Sequence, residues 1–450
     1  MATTTTPPTT KRPRFSAWKI GVKKVVLRVV MWLAGFVDVV VFDVLGVSGP
    51  SLLRWWLKPA RLRAQAVRLA GCSEEKYHVA TSEIDARLRR SVEAVASADE
   101  TLGGCGKKGG GLRVGLVAVR ALERRLVRQL VVDLLVTASS STTGEDVVED
   151  PLVIVGPQRS GTTVLLELLG KDTGTWRQLK THEATLPLML PQSPRALLDA
   201  GHEWLAGVEV VLDGVRHVHH ERWDGPVECR TALENGVGAP YALWYIFGAA
   251  PDLWPQDQCQ SDYLFYRTQL QSLSDGSRRR WLLKDPVHCL SLDALFAAFP
   301  KATVIWTHRE PRKAAASLCS LCRGIWSATL REDRARGQPP TYDAAVVDYL
   351  GKMLDRAVDY RTRHPNARII DVPNERLRED PLSVVHDVYA FAEATLSPQA
   401  RAAMVSFLAE QMDAAGKRGH TYDLADFGLD PTAIDARFRK YTSAPFFPRS

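Results

Sequence analysis

Residues 151–170, PLVIVGPQRSGTTVLLELLG, constrain the fold of this chain more than any other stretch. Leu152 to Val155 are four apolar residues in a row and read as a buried strand, residues 156–161 read as a tight glycine-bounded loop, and Thr162 to Leu169 read as an amphipathic helix. Successive N–H groups in such a loop converge on one concavity. The N-terminus of the following helix adds partial positive charge there, so the fitting occupant is a phosphate or a sulfate. The spacing Gly156-x4-Gly161 is that of a nucleoside-triphosphate loop, yet Thr162-Thr163 stand where that motif requires Lys and then Ser or Thr. The cation is instead Arg159, two positions before the second glycine, and its planar fork suits bidentate contact with anionic oxygens. A ligand-free strand-to-helix turn is the plain alternative.

The rest of the composition is compatible with this reading. At 450 residues, 45% hydrophobic and 24% charged, the chain can bury a large core, which excludes the disordered and fibrous classes. A net charge of +7 favours anionic ligands, but acidic and basic residues are interspersed and no nucleic-acid motif stands out. Seven cysteines, odd in number and scattered, imply no disulfide framework. Cys319 and Cys322 have metal spacing, but a tetrahedral site needs four ligands and no second pair stands nearby, so helix packing is the expectation and no metal is called for.

A second segment has the same logic: residues 301–307 read as a strand, 308–311 as a turn and 312–323 as a helix. With Arg159-Ser160-Gly161-Thr162-Thr163, the chain resembles the sulfotransferases that use 3′-phosphoadenosine 5′-phosphosulfate (PAPS), whose 5′-phosphosulfate loop is a Lys or Arg followed by Ser-Gly-Thr-Thr. The likeness is to their bacterial-type and tyrosylprotein branch. The resemblance implies that Arg159, Ser160, Gly161, Thr162 and Thr163 hold the 5′-phosphosulfate, and that Arg309 and Ser317, eight residues apart, hold the 3′-phosphate. It places a general base at Glu183, in the run THEATLP after the first helix, where an exposed loop glutamate is the bland alternative. His220, six residues before Pro226-x-Glu228-Cys229, is the second candidate base, with an ordinary pKa near 6.5 suited to neutral pH. Lys284, in Lys-Asp-Pro at the end of a strand over residues 280–284, matches the lysine that stabilises charge on the leaving oxygen.

Further on, residues 367–372 read as a strand, and residues 375–381 resemble the family's Glu-x-Leu-x-x-Asp-Pro turn, with Pro381 suited to the first turn of a helix. Lys417 and Arg418, before a family-like His-x-Tyr segment, would close over the nucleotide phosphates. The likeness covers about residues 150–445. It departs from the cytosolic aryl sulfotransferases in having Arg159 for their Lys and in lacking their Arg-x-Gly-x-x-Gly-x-x-Lys segment, which argues against simple phenol or steroid acceptors.

From residue 152 onward strands and helices alternate, so the fold class is α/β: a P-loop-like parallel sheet flanked by helices, with anions at the C-terminal ends of the strands and a helical N-terminal region ahead of it. Four regions follow: a disordered basic tail over 1–24, an apolar segment over 25–57, a helical region over 58–138, and the sulfotransferase-like domain over 150–450. The helical region carries Leu122, Leu126, Leu130 and Leu134 on one face and a Gly-rich loop over 97–111. Residues 25–47 have the length to span a bilayer, which takes about 20 apolar residues, but Arg28, Asp38 and Asp43 oppose it. The expectation is membrane association, as a type II anchor of the Golgi kind or an interfacial helix, with an organellar targeting peptide or a cytoplasmic protein as the alternatives. Aromatic residues over 241–266 read as a helical layer on the acceptor side.

The function these features imply is transfer of a sulfuryl group from PAPS to a hydroxyl or amine of a small-molecule, carbohydrate or peptide acceptor. A P-loop-like nucleotide kinase is the rival enzyme, opposed by the missing Lys. A non-catalytic nucleotide-binding membrane protein is the other rival, opposed by Glu183 and Lys284.

Overall fold

The protein is seen in a computed structural model that describes residues 148, 150–185, 222–235, 256–274, 277–329, 341–415 and 423–448. β1 (Leu152–Val155) lies at the centre of a sheet and is buried along its whole length. β2 (Trp176–Gln178), β3 (Arg280–Lys284), β4 (Thr303–His308) and β5 (Ile369–Pro373) complete five parallel strands in the order β2-β3-β1-β4-β5. A strand covered on both faces must be apolar on both, which is why β1 reads LVIV without alternation. The pleat still divides it. Val153 and Val155 join Leu283, Val304 and Trp306 in one core, whereas Leu152 and Ile154 join Leu282 and Ile305 in the other.

Each core is closed by helices. In chain order these are α1 (Thr162–Leu169), α2 (Thr181–Thr185), α3 (Arg230–Leu233), α4 (Gln256–Ser272), α5 (Leu292–Ala298), α6 (Pro311–Thr329), α7 (Thr341–Arg363), α8 (Asn374–Glu379), α9 (Pro381–Phe391), α10 (Pro398–Ala415), α11 (Pro431–Arg437) and α12 (Arg439–Thr442). Tyr263 and Tyr266 of α4, Leu295 of α5, Leu318 of α6 and Met353 of α7 pack on the Val153 side. Leu165 and Leu168 of α1, Val385 of α9 and Met404 of α10 pack on the Leu152 side. Cys319 and Cys322 are both buried in the first of these cores, as helix packing requires.

The strand, loop and helix around β1 fall where the sequence puts them. Elsewhere two differences have physical causes. β4 runs on through His308, which the sequence assigns to a turn, because that residue pairs with Pro373 of β5 and its ring is bonded at both nitrogens, to Tyr441 and to Asp371 at 2.8 Å each. β2 has too few residues to show a period. It forms because Trp176 is buried and bonded through Nε1 to the Tyr389 hydroxyl at 2.8 Å, while Gln178 reaches the Leu166 carbonyl at 2.8 Å.

The basic tail, the apolar segment over 25–57 with its membrane reading, the helical region over 58–138 and the aromatic residues over 241–255 lie outside the described residues. Among the described residues no helix is long and apolar enough to cross a membrane.

Candidate active site

β1 has neighbours on both sides whose connections leave in opposite directions, and in a parallel sheet the crevice at such a point, at the strand C-terminal ends, is where ligands bind. The candidate residues within the described chain all come from that edge. The loop after β1 turns at Gly156, with φ +136°, where a Cβ would meet Thr307 O and Oγ1 of β4 at 2.4 Å. It ends at Gly161, with φ +90°, where a Cβ would press on Leu377 and Asn374 of α8 at 2.8 and 2.9 Å. Both glycines are therefore required by backbone conformation and by close approach. Between them Arg159 takes φ +67°, a left-handed conformation uncommon outside glycine.

Ser160 is fully buried, its hydroxyl 2.6 Å from the Pro157 carbonyl and 2.5 Å from Thr307 Oγ1. It staples the loop to β4. No side chain caps the start of α1, so the first amides of Thr162 and Thr163 have no side-chain acceptor, the condition in which a helix N-terminus attracts an anion.

Arg159 Nε donates to Ser317 Oγ of α6 at 3.2 Å, and Arg309 Nη1 donates to the Arg159 carbonyl at 2.5 Å. The structure therefore unites the two halves of the expected nucleotide site, which stand 150 or more residues apart. Burial lowers the pKa of Arg309, and the positive charges of Arg159 and of Arg378 on α8 lower it further. Arg378 is a residue that sequence reasoning missed. It stands one turn along α8 from Asn374, the side chain that Gly161 faces, so the two share a helix face beside the loop. Three guanidinium groups thus crowd one edge, and among the described residues none of them is ion-paired with a carboxylate.

Lys284 closes β3 and is 2% exposed. Nζ donates to Thr163 Oγ1 at 3.1 Å and to Glu228 Oε1 at 2.6 Å. Burial pushes its pKa down to about 8, with Asp285 partly opposing the shift. The ammonium that a nucleoside-triphosphate loop carries on its own helix is delivered here from the neighbouring strand, to the same end of α1. Thr162, at the usual lysine position, is buried.

Glu183 is not an exposed loop residue. It lies in the first turn of α2, 8% exposed, with Oε1 accepting from Arg177 Nη2 and Oε2 from the Lys180 amide, both at 3.0 Å. Arg177 in turn lies over the Trp281 ring at 4.1 Å, so the carboxylate is held by a cation that is itself packed. The segment before α3 runs back along this one. The Thr181 and His182 amides donate to the Gly225 and Trp223 carbonyls, and Lys180 pairs with Pro226 in an isolated antiparallel bridge. That pairing carries Glu228 to Lys284, a contact for which a carboxylate in the Pro-x-Glu-Cys segment was the single clue in the sequence. His220, Lys417 and Arg418 lie outside the described residues. Among the described residues no group of His, Cys, Asp and Glu is arranged to hold a metal ion.

A model of the sulfotransferase family matches residues 151–398, more than half of the chain. The chain belongs to the sulfotransferase family. The fold of this sulfotransferase is also found in the crystal structure of sulfotransferase STF9 from Mycobacterium avium, with 24% identity, a TM-score of 0.66, and coverage of 86% of this chain and 97% of that one. Sulfotransferase STF1 from Mycobacterium tuberculosis H37Rv is similar at 24% identity and a TM-score of 0.63, over 84% of this chain and 97% of its own. No curated protein matches the sequence.

Proposed function

We propose that this sulfotransferase takes its sulfuryl group from PAPS and passes it to a hydroxyl or amine acceptor. The observation that carries the choice of donor is the grouping of Arg159, which bonds Ser317, with Arg309 and Arg378, while a further cation, Lys284, stands at the other side of the same loop. Like charges held together favour a bound anion, here beyond what the nearby Glu375 and Glu310 offset at Arg309, and an arginine cluster on one side of the loop with a lysine on the other suits a nucleotide phosphorylated at two places.

In this reading Arg309 and Ser317 hold the 3′-phosphate, while the amides at the start of α1 hold the 5′-phosphosulfate. Lys284 places its ammonium against the oxygen that becomes the leaving group. As the acceptor oxygen bonds to sulfur, the bond from sulfur to the 5′-phosphate oxygen breaks, and Lys284 stabilises the charge left there. Glu183 takes the acceptor proton. Its two bonds fix the orientation of the carboxylate, and each oxygen keeps a lone pair for the proton. In such a transfer positioning and charge stabilisation matter more than covalent catalysis.

Calorimetry with 3′-phosphoadenosine 5′-phosphate and with ATP tests the donor. Binding should favour the 3′-phosphorylated nucleotide and weaken by about tenfold or more in Arg309→Ala, the scale of one lost charge-assisted contact. Equal affinity for the two nucleotides would revive the kinase reading. Incubation of cell extracts with isotopically labelled PAPS, followed by mass spectrometry for new sulfated species, identifies the acceptor.

A further inference from the structure

Lys284 has three N–H donors, and two are committed within the protein, one to Thr163 Oγ1 and one to Glu228 Oε1. The third has no partner among the described residues. The carboxylate that fixes this geometry is itself fixed, since its other oxygen is ion-paired with Arg230. The Arg230 amide donates to Asp285 Oδ2 at 2.7 Å, and the Cys229 amide donates to the Lys284 carbonyl at 3.0 Å. Residues 228–230 therefore grip the Lys284-Asp285 pair by side chain and backbone together. Asp285 is turned to the Arg230 and Val287 amides, each of its oxygens accepting from one of them, whereas Glu228 bonds the Lys284 ammonium directly.

We propose that Glu228 is the positioning residue of Lys284: it aims the ammonium at the mouth of the phosphate loop and keeps it charged in a buried place, without touching either substrate. The inference rests on the role given to Lys284 above. It also explains why a carboxylate stands so close to a site built for anions. A bare buried ammonium is costly and tends to give up its proton, whereas one bonded to a carboxylate keeps it. The groups around Nζ are few: Glu228, Arg230, Asp285 and Cys229 on one side, and Thr163 and Glu167 of α1 on the other. Of these, Glu228 is the carboxylate in direct contact.

The sign of the pH effect follows. Lys284 is charged below about 8 and neutral above, so transfer should fall as pH rises through that value. Removing the negative neighbour makes the proton easier to lose and moves this alkaline limb to lower pH. The test is the pH dependence of kcat/KM, which reports the ligand-free enzyme, for wild type, Glu228→Gln and Glu228→Asp, with affinity for 3′-phosphoadenosine 5′-phosphate measured in parallel. In Glu228→Gln the limb should move down by about one unit or more, with a loss of about tenfold or more at pH 8 that is largely recovered at pH 6. Glu228→Asp keeps the charge but is one methylene shorter, so its limb should fall between the two. A loss equal at every pH, or a limb that does not move, would overturn the inference. If the Gln variant does not fold, the Asp variant decides alone, and wild-type kcat/KM and limb there would overturn it. Wild-type protein that neither binds the nucleotide nor transfers sulfuryl overturns the parent reading too, while one that does both with an unmoved limb in Glu228→Gln removes this inference only.

Discussion

Glu183 and Lys284 illustrate how a side chain gets its role from what it is bonded to. Both are acid–base groups, both are buried, and both are tied to an oppositely charged partner, yet in the proposed reaction one receives a proton and the other lends positive charge. Glu183→Gln keeps the shape and the bond from Arg177 but removes the basic oxygen. Loss of a general base costs about 10²–10⁴-fold in kcat, and kcat/KM should fall by the same factor while nucleotide affinity is unchanged. Steady-state kinetics with calorimetry on the same preparation check this. A variant of nearly wild-type activity would move the proton elsewhere, with His220 the next residue to substitute.

At the scale of elements, the loop after β1 is held from three directions. β4 grips it through Thr307, α6 through Ser317 and α8 through Leu377 and Asn374. The sheet edge far from this loop has its own tie. Trp176 of β2 donates to the Tyr389 hydroxyl of α9, which donates to Asp172 Oδ2, each at 2.8 Å, and all three residues are buried. Tyr389→Phe would leave the Trp176 donor and one Asp172 oxygen without their shared partner, which costs about 1–3 kcal/mol. The expected outcome is a lower Tm with the affinity for 3′-phosphoadenosine 5′-phosphate unchanged, because the chain lies on the opposite side of β3 from the phosphate loop.

For the molecule as a whole, acid sensitivity has a named source. His288 is completely buried, bonded to the Tyr263 hydroxyl at 2.6 Å through Nδ1, while Nε2 has no hydrogen-bond partner among the described residues. Burial lowers its pKa to about 4, against the small opposing effect of Asp285. A histidine with a depressed folded pKa is neutral in the native state while the unfolded chain binds a proton. Stability is therefore complete above about 6.5 and falls as pH drops towards 4, by roughly 1.4 kcal/mol per unit. Chemical denaturation of wild type and His288→Gln at several values between pH 7 and 4 checks the point. The variant should be less stable at neutral pH and should lose stability less steeply on acidification.

Residues 151–170 determined their own structure. An apolar run that is buried on both faces, two glycines at backbone angles other residues avoid, and an uncapped helix start are local properties, and β1 and α1 have the bounds the sequence implies. Lys284 and Arg309 could be singled out only by their resemblance to family segments, and they stand where β3 ends and just after β4, at the C-terminal edge of the parallel sheet. The sequence could not say what lies beside them. Glu228 meets Lys284 across 56 positions, Ser160 meets Thr307 across 147, and Arg159 meets Ser317 across 158. Parallel strands are joined by long crossovers, so neighbours at the site are remote in the chain. Periodicity shows which face of an element is covered but not which side chain covers it. That is why the anion loop could be read from residues in order, whereas the carboxylate that holds its lysine in place was decided by the packing of the sheet.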